Sequence, residues 1–310
     1  MAITTPPRSI GRRLRIVVMC IGAGVVPVAV PAQSSQHAAV AAPAAAKHML
    51  FRVAGPNGAT LYLLGSVHLL SAEAGTLPPV IDSAFAHATT IAFEASLDTV
   101  MMRAPELLAR ARYANGATLR SSLSPAGAAK LDTLLRAYGL AIEQLNSYKP
   151  WFVSMVMAQL AMQRAKFQPQ YGVDVQLNAR AHQAGKTIVG LEPVDVQLAL
   201  FDSISPADQE RMVLESAPPD SASHDLLRIE HAWRIGDAPG LDSIVNKVAV
   251  GSARLLAALV TQRNVSWMPK IEQLLRGPDD TLVVVGAAHL VGSQGIIALL
   301  RAKGYTVEQL

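Results

Sequence analysis

The sequence predicts an α/β fold: a mostly parallel, mixed sheet with large helical insertions forming a cap. Three observations predict it. Short apolar runs of strand length alternate with segments whose apolar residues recur at three and four, the pattern of strands alternating with helices. Two of the runs, "LYLLGSVHLL" (61–70) and "LVVVGAAHLV" (282–291), end in the same Gly-x-x-His step although more than two hundred residues separate them. Two long stretches, about 105–185 and 194–277, carry the helical period almost throughout and are the candidate insertions.

Taken in order, the chain opens with an export pattern. Arg8, Arg12, Arg13 and Arg15 precede the apolar run "IVVMCIGAGVVPVAV" (16–30), and Val30-Pro31-Ala32 supplies small residues for cleavage. Residues 1–32 therefore read as a signal peptide, since the run is short and too rich in Gly and Pro for a membrane span of roughly 20 apolar residues. Residues 33–47 are Ala-rich and broken by Pro, as a flexible linker is. The folded domain is expected over 48–310.

Within it, "HMLFRVAG" and "ATLYLLGSVH" are two strands around the turn Gly55-Pro56-Asn57-Gly58, a hairpin signal. A helix follows Leu77-Pro78-Pro79, with Pro in the first turn. "TTIAFEA" (89–95), "KTIVGLE" (186–192) and "DTLVVVGAAH" (280–289) are the next strands. "AAKLDTLLRAYGL" and "WFVSMVMAQLAMQRAK" are amphipathic helices of the insertions, the Met-rich segment filling a core. A helix over about 292–303 and a short strand "YTVEQL" close the chain.

Composition narrows the function. The formal charge of +4 comes from 27 basic against 23 acidic residues. The first 32 residues hold four arginines and no acid, so the mature chain is balanced at 23 of each and carries no basic footprint for nucleic acid. Contact with a membrane is expected only transiently, through the signal peptide. Cys20, the one cysteine, lies in that segment, which leaves neither a disulfide framework nor a thiol nucleophile. No phosphate-binding or dinucleotide glycine pattern occurs, and no nucleophile elbow surrounds Ser66.

Ligands of open α/β sheets gather at the carboxyl ends of the strands. The residues at those ends are His68, Glu94, Glu192 and His289. Two imidazoles and a carboxylate can hold a divalent ion (Zn, Mn or Co) with a position open for water. By position Glu94 is the better third ligand, and Glu192 is expected to orient or deprotonate the water, or to support its neighbours through hydrogen bonds. Asp174 in "YGVDVQLNARA" fits an N-cap. His182, His224 and His231 are expected to be exposed.

With these residues in place, the chain resembles the TraB/GumN family, whose animal relatives include the Tiki proteases. The likeness runs in order through "LYLLGSVHLL", "IAFEA", "YKPW", "YGVD", "GKTIVGLEPVDVQL", "RNVSW" and "VVVGAAHLVGSQGIIALLRAKGYTV", over roughly 50–310. It implies an α/β sheet with helical insertions, of the type shared with erythromycin-esterase-like and ChaN-like proteins. It also implies a site of His68, His289 and Glu94 as metal ligands, with Arg263 among the catalytic residues. The function expected is an exported (periplasmic or secreted) metal-dependent peptidase acting on a peptide or small molecule. In it Glu192 handles water and Arg263 stabilises the developing oxyanion. The alternatives are a ligand-, haem- or metal-binding protein without turnover and a metal-free, His-dependent esterase.

Overall fold

Alternating apolar residues in "LFRVA" and "TLYLLGS" place one face of each segment inward, and the Gly55–Gly58 turn brings them together. They form β1 (Leu50–Ala54) and β2 (Thr60–Ser66), paired antiparallel from Leu50↔Leu64 to Ala54↔Thr60. The computed structural model describes residues 47–72, 76–249 and 256–310. The expected signal peptide and nearly all of the expected linker lie outside these residues.

Six strands make the main sheet in the order β6 (Thr187–Gly190), β4 (Thr90–Phe93), β7 (Thr281–Gly286), β2, β1, β8 (Val307–Gln309). Neighbours among β6, β4, β7 and β2 run parallel; β1 is antiparallel to both β2 and β8. The mostly parallel, mixed sheet expected from the sequence is therefore present. The central strand, β7, is buried at all six positions, as a strand covered on both faces should be. A second, two-stranded sheet pairs β3 (Leu70–Ser71) with β5 (Phe167–Gln168), both too short to carry a periodic signal.

Covering helices follow where the period placed them. α1 (Pro79–His87) lies between β3 and β4, with Pro79 in its first turn. The first insertion, between β4 and β6, contains α2 (Leu97–Met102), α3 (Ala104–Arg110), α4 (Pro125–Ala137), α5 (Pro150–Arg164) and α6 (Val173–Gln183). The second, between β6 and β7, contains α7 (Val194–Ser203), α8 (Pro206–Leu214), α9 (Pro219–Arg234), α10 (Ala238–Ala249) and α11 (Gln262–Leu275). A π-helical turn, Ala257–Thr261, leads into α11.

The insertions carry apolar cores of their own. Leu131 and Leu135 of α4 pack with Val153 and Met157 of α5 and Val213 of α8, and Trp151 packs with Phe201 and Met212. Met155, Met157 and Met162 are buried, so the Met-rich run fills a core as expected. The closing helix, α12 (Ile296–Ala302), starts four residues later than the pattern proposed. Gly292 at φ +81° cannot continue a right-handed helix, and residues 292–295 form a turn instead.

Candidate functional site

Four parallel strands lie side by side as β6, β4, β7 and β2, and each delivers one polar residue just past its carboxyl end: Glu192, Glu94, His289 and His68 in that order. Neighbouring strands are about 4.8 Å apart. Parallel register brings Ser66 beside Gly286 and Phe93 beside Val284, so the residues beyond them form one row. The paired Gly-x-x-His steps thus sit on adjacent strands. Gly65 permits the close approach, since a Cβ there would lie 3.1 Å from the Ala287 Cα.

Arg263 reaches over this row from α11. Its Nε and Nη2 donate to Glu192 Oε1 (2.9 and 2.6 Å), Nη2 also donates to Glu94 Oε2 (2.7 Å), and Nη1 donates to the Leu259 carbonyl (3.1 Å). Nη1 stands 3.4 Å from His289 Nε2. Glu94 Oε1 accepts the Gly286 N–H (2.8 Å) and lies 3.6 Å from His289 Nε2. The strand-end reading supplied Glu94, Glu192 and His289 and the family likeness supplied Arg263, and the structure brings the four into one cluster.

Glu192 is placed for support. Both its oxygens are engaged, Oε1 by Arg263 and Oε2 by Trp267 Nε1 (2.8 Å), and the residue is buried. A carboxylate so bound holds the guanidinium, with three of its roughly four acceptor sites taken.

Three residues that spacing did not single out complete the site. Asn264 Oδ1 is 2.6 Å from His289 Nδ1, while Asn264 Nδ2 donates to the carbonyls of His289 (3.2 Å) and Gln294 (2.9 Å). Those carbonyls fix the amide orientation, so His289 carries its proton on Nδ1 and a lone pair on Nε2. Trp267 lies against His289 with ring centroids 4.6 Å apart and beneath the Arg263 guanidinium at 4.6 Å. Asn264 and Trp267 sit one and four residues after Arg263, a helical face that "RNVSW" displays.

The third is Asp174. It does not cap its helix, contrary to the sequence reading. The N-cap is Gly172, and the Val173 N–H bonds to the Val67 carbonyl (3.1 Å), docking the helix start against the loop after β2. The first-turn carboxylate then faces inward: Asp174 Oδ2 is 2.8 Å from His68 Nδ1 and Oδ1 accepts from Ser66 Oγ at 2.8 Å. Gly172 is required there, because a Cβ would stand 2.1 Å from the His68 carbonyl oxygen. His182 pairs with Asp98 at the surface, and His224 and His231 are exposed, as expected.

The environments of the two histidines push them apart. At His68 burial lowers the pKa, but the Asp174 charge and hydrogen bond outweigh it and raise it to about 9. At His289 burial, joined by the Arg263 and His68 charges, lowers it to about 4 against the pull of Glu94. Burial also opposes the Glu94 carboxylate, yet the His289, Arg263 and His68 charges and the Gly286 N–H hold it down to about 2. Since His289 is neutral near pH 7 and His68 is charged, Arg263, His68 and the Gly286 N–H do that work there. His68 is the open member, its side chain 26% exposed against 2% for His289. Among the described residues no three His, Cys, Asp or Glu side chains stand at the spacing of a bound ion; the Arg263 guanidinium lies among the acceptors.

A row of two histidines and two glutamates on a capped parallel sheet, clamped by an arginine from the insertion, defines an α/β protein of the two-Gly-x-x-His class. The profile of the TraB/PrgY/gumN family matches residues 49–309, and the chain belongs to that family. It is similar to the uncharacterized protein YbaP of Escherichia coli K12, with 24% identity over 254 residues, 79% of this chain and 89% of YbaP. The YbaP of Shigella flexneri matches over the same shares at 24% identity. An uncharacterized protein of Treponema pallidum shares 22% identity over 83% of this chain and 81% of its own length. No solved structure matches.

Proposed function

We propose that the chain is an exported, metal-dependent hydrolase of peptide or related acyl bonds, with the strand-end row as its active site. The carrying observation is the pair of tied imidazoles. Each has Nδ1 bound to a fixed oxygen, of Asp174 or Asn264, which leaves Nε2 as the nitrogen for a ligand. This outer support is the usual setting of metal-binding histidines.

The donors fit a divalent ion in kind: two imidazoles and a carboxylate suit Zn, Mn or Co. Spacing agrees for one edge, since 3.6 Å between His289 Nε2 and Glu94 Oε1 is near the separation of two ligands each about 2.1 Å from a tetrahedral ion. His68, Glu94 and His289 would hold it. The ion would supply a water of lowered pKa.

The chain's own residues do the rest. Asn264 keeps the His289 lone pair on Nε2, and Asp174 orients His68. Glu192 and Trp267 hold Arg263 over the row, where its fixed positive charge would stabilise negative charge developing on a substrate carbonyl.

Elemental analysis of the mature chain and of His289→Ala, with turnover of a fluorogenic peptide library, tests the reading. One ion per chain in the wild type, lost with turnover in the variant, is expected. A wild type that takes up no Zn, Mn or Co overturns it. One observation favours a second reading: Arg263 already supplies a cation to Glu94, and His68 with Asp174 forms a ready acid–base pair. Turnover that survives chelation and is lost in Asp174→Asn would establish that metal-free hydrolase. Export belongs to the same proposal, and a mature N-terminus near residue 33 by mass spectrometry tests it.

A further inference from the structure

Residues 65–71 run from the end of β2 through His68 to β3, and one face of α9 meets them three times. Trp233 Nε1 donates to the Gly65 carbonyl (2.6 Å), Glu230 Oε1 accepts from Ser71 Oγ (2.9 Å), and Leu226 and Leu69 share the apolar cluster of Met162 and Phe167. Positions 226, 230 and 233 are four and three apart, which puts them on one side of the helix. Gly65 and Ser71 bracket His68. The middle of the segment is held by α6 instead, through the Val173 N–H on the Val67 carbonyl and through Asp174 on Ser66 and His68.

Stability alone does not account for these contacts. Glu230 is buried, its Oε1 also accepts from Arg234 Nη2 (3.2 Å), and its Oε2 has no hydrogen-bond partner among the described residues. A buried carboxyl oxygen left over costs free energy that an apolar side chain of the same size would not. What the carboxyl does supply is a fixed acceptor at the exit of the His68 segment. At the entry, the Gly65 N–H goes to the Met49 carbonyl (2.8 Å) and the Gly65 carbonyl takes the indole proton, so this glycine is fixed on both sides.

We propose that Trp233 and Glu230 are positioning residues of the active site: through Gly65 and Ser71 they fix both ends of the segment that carries His68, and so hold its imidazole in the strand-end row. The inference rests on that row being the active site, in either reading above. α6 sets which way the ring faces, because Asp174 binds its Nδ1, and α9 sets where the ring stands. One histidine is thus placed by both insertions, the first through α6 and the second through α9. A displacement of about 1 Å at a reacting group can cost about a hundredfold in rate.

The test compares Trp233→Phe, Glu230→Met and Glu230→Gln with wild type and with Tyr138→Phe, which loses a buried hydrogen bond to the Ala217 carbonyl inside the insertions. Phenylalanine keeps an aromatic ring but has no N–H for Gly65; methionine keeps the length of Glu230 without a strong acceptor, and glutamine restores one for Ser71. The readouts are the His68 ring signals in ¹H–¹⁵N spectra, hydrogen exchange of the Val173 amide, and kcat and KM on a library peptide that the wild type cleaves. In Trp233→Phe and Glu230→Met the ring signals are expected to shift and Val173 exchange to quicken about tenfold or more. With them kcat is expected to fall about tenfold or more while KM changes little. Glu230→Gln should return all three readouts most of the way, and Tyr138→Phe should leave them at the wild-type values. If Trp233→Phe fails to fold, Glu230→Met and Ser71→Ala, which removes the hydroxyl from the other partner, decide the matter. Folded variants whose His68 signals and Val173 exchange depart from wild type no more than those of Tyr138→Phe overturn the positioning role. A wild type that cleaves no peptide overturns the hydrolase reading, and the two NMR readouts then decide the positioning by themselves.

Discussion

Asn264 Oδ1 stands 2.6 Å from His289 Nδ1, and the same amide spends its nitrogen on the carbonyls of His289 and Gln294. One side chain therefore sets both where the imidazole sits and which nitrogen is bare. Asn264→Leu leaves a buried imidazole N–H and two carbonyls without a partner, at a cost of about 2 to 4 kcal/mol. Asn264→Asp should keep the Nδ1 proton. Long-range ¹⁵N correlation spectra are expected to show His289 protonated at Nδ1 in wild type and in Asn264→Asp, and as a mixture of tautomers in Asn264→Leu.

Asp174 governs the other histidine. Asp174→Asn keeps an acceptor for His68 Nδ1 but removes the charge, so the His68 midpoint should fall from about 9 toward the ordinary 6.5. An NMR titration of His68 checks it. Ser66→Ala takes one hydrogen bond from Asp174 and is expected to move the midpoint much less.

Stability should respond to acid and alkali for different reasons. The His289 pKa is about 4 folded and 6.5 unfolded, so the unfolded chain binds the extra proton between those values and stability falls as pH drops through that window. Glu94, near 2 folded and 4.5 unfolded, contributes stability above 4.5 that is lost as pH falls toward 2. His68 has the opposite sign: its contribution is complete below 6.5 and is lost as pH rises through 9. Urea unfolding from pH 3 to 10 should give a dome that His68→Gln flattens on the alkaline side and His289→Gln flattens between 6.5 and 4.

Trp267 combines packing with one polar bond, and two substitutions separate these. Trp267→Phe keeps the ring beside His289 and leaves Glu192 Oε2 unpaired, for about 1 to 3 kcal/mol. Trp267→Ala also opens a cavity, for about 3 to 5 kcal/mol. Chemical denaturation of both variants measures the difference.

The strand ends were legible in the sequence because apolar runs stop where a parallel sheet stops, and His68, Glu94, Glu192 and His289 follow four such stops. Arg263 was reached through the family likeness; a lone arginine on an amphipathic helix carries no periodic signal. Asp174 was misread because a first-turn aspartate is a common helix-start residue, and only the docking of Gly172 against His68 turns it inward. At Glu192 the sequence leaves base and support open, and the hydrogen bond from Trp267, seventy-five residues away, carries no sequence signal. The strands β3 and β5, two residues each, fall below any detectable period.

The placement of β7 between β4 and β2 has a consequence for how the chain matures. This central strand follows β2, β4 and β6 in the chain, so β2 and β4 emerge with no partner between them and wait through almost two hundred residues. The row of polar ends can close only after residues 281–289 thread into that gap, a late, long-range pairing of the kind that makes folding slow. A chain cut before residue 281 carries His68, Glu94 and Glu192 without the strand that unites them.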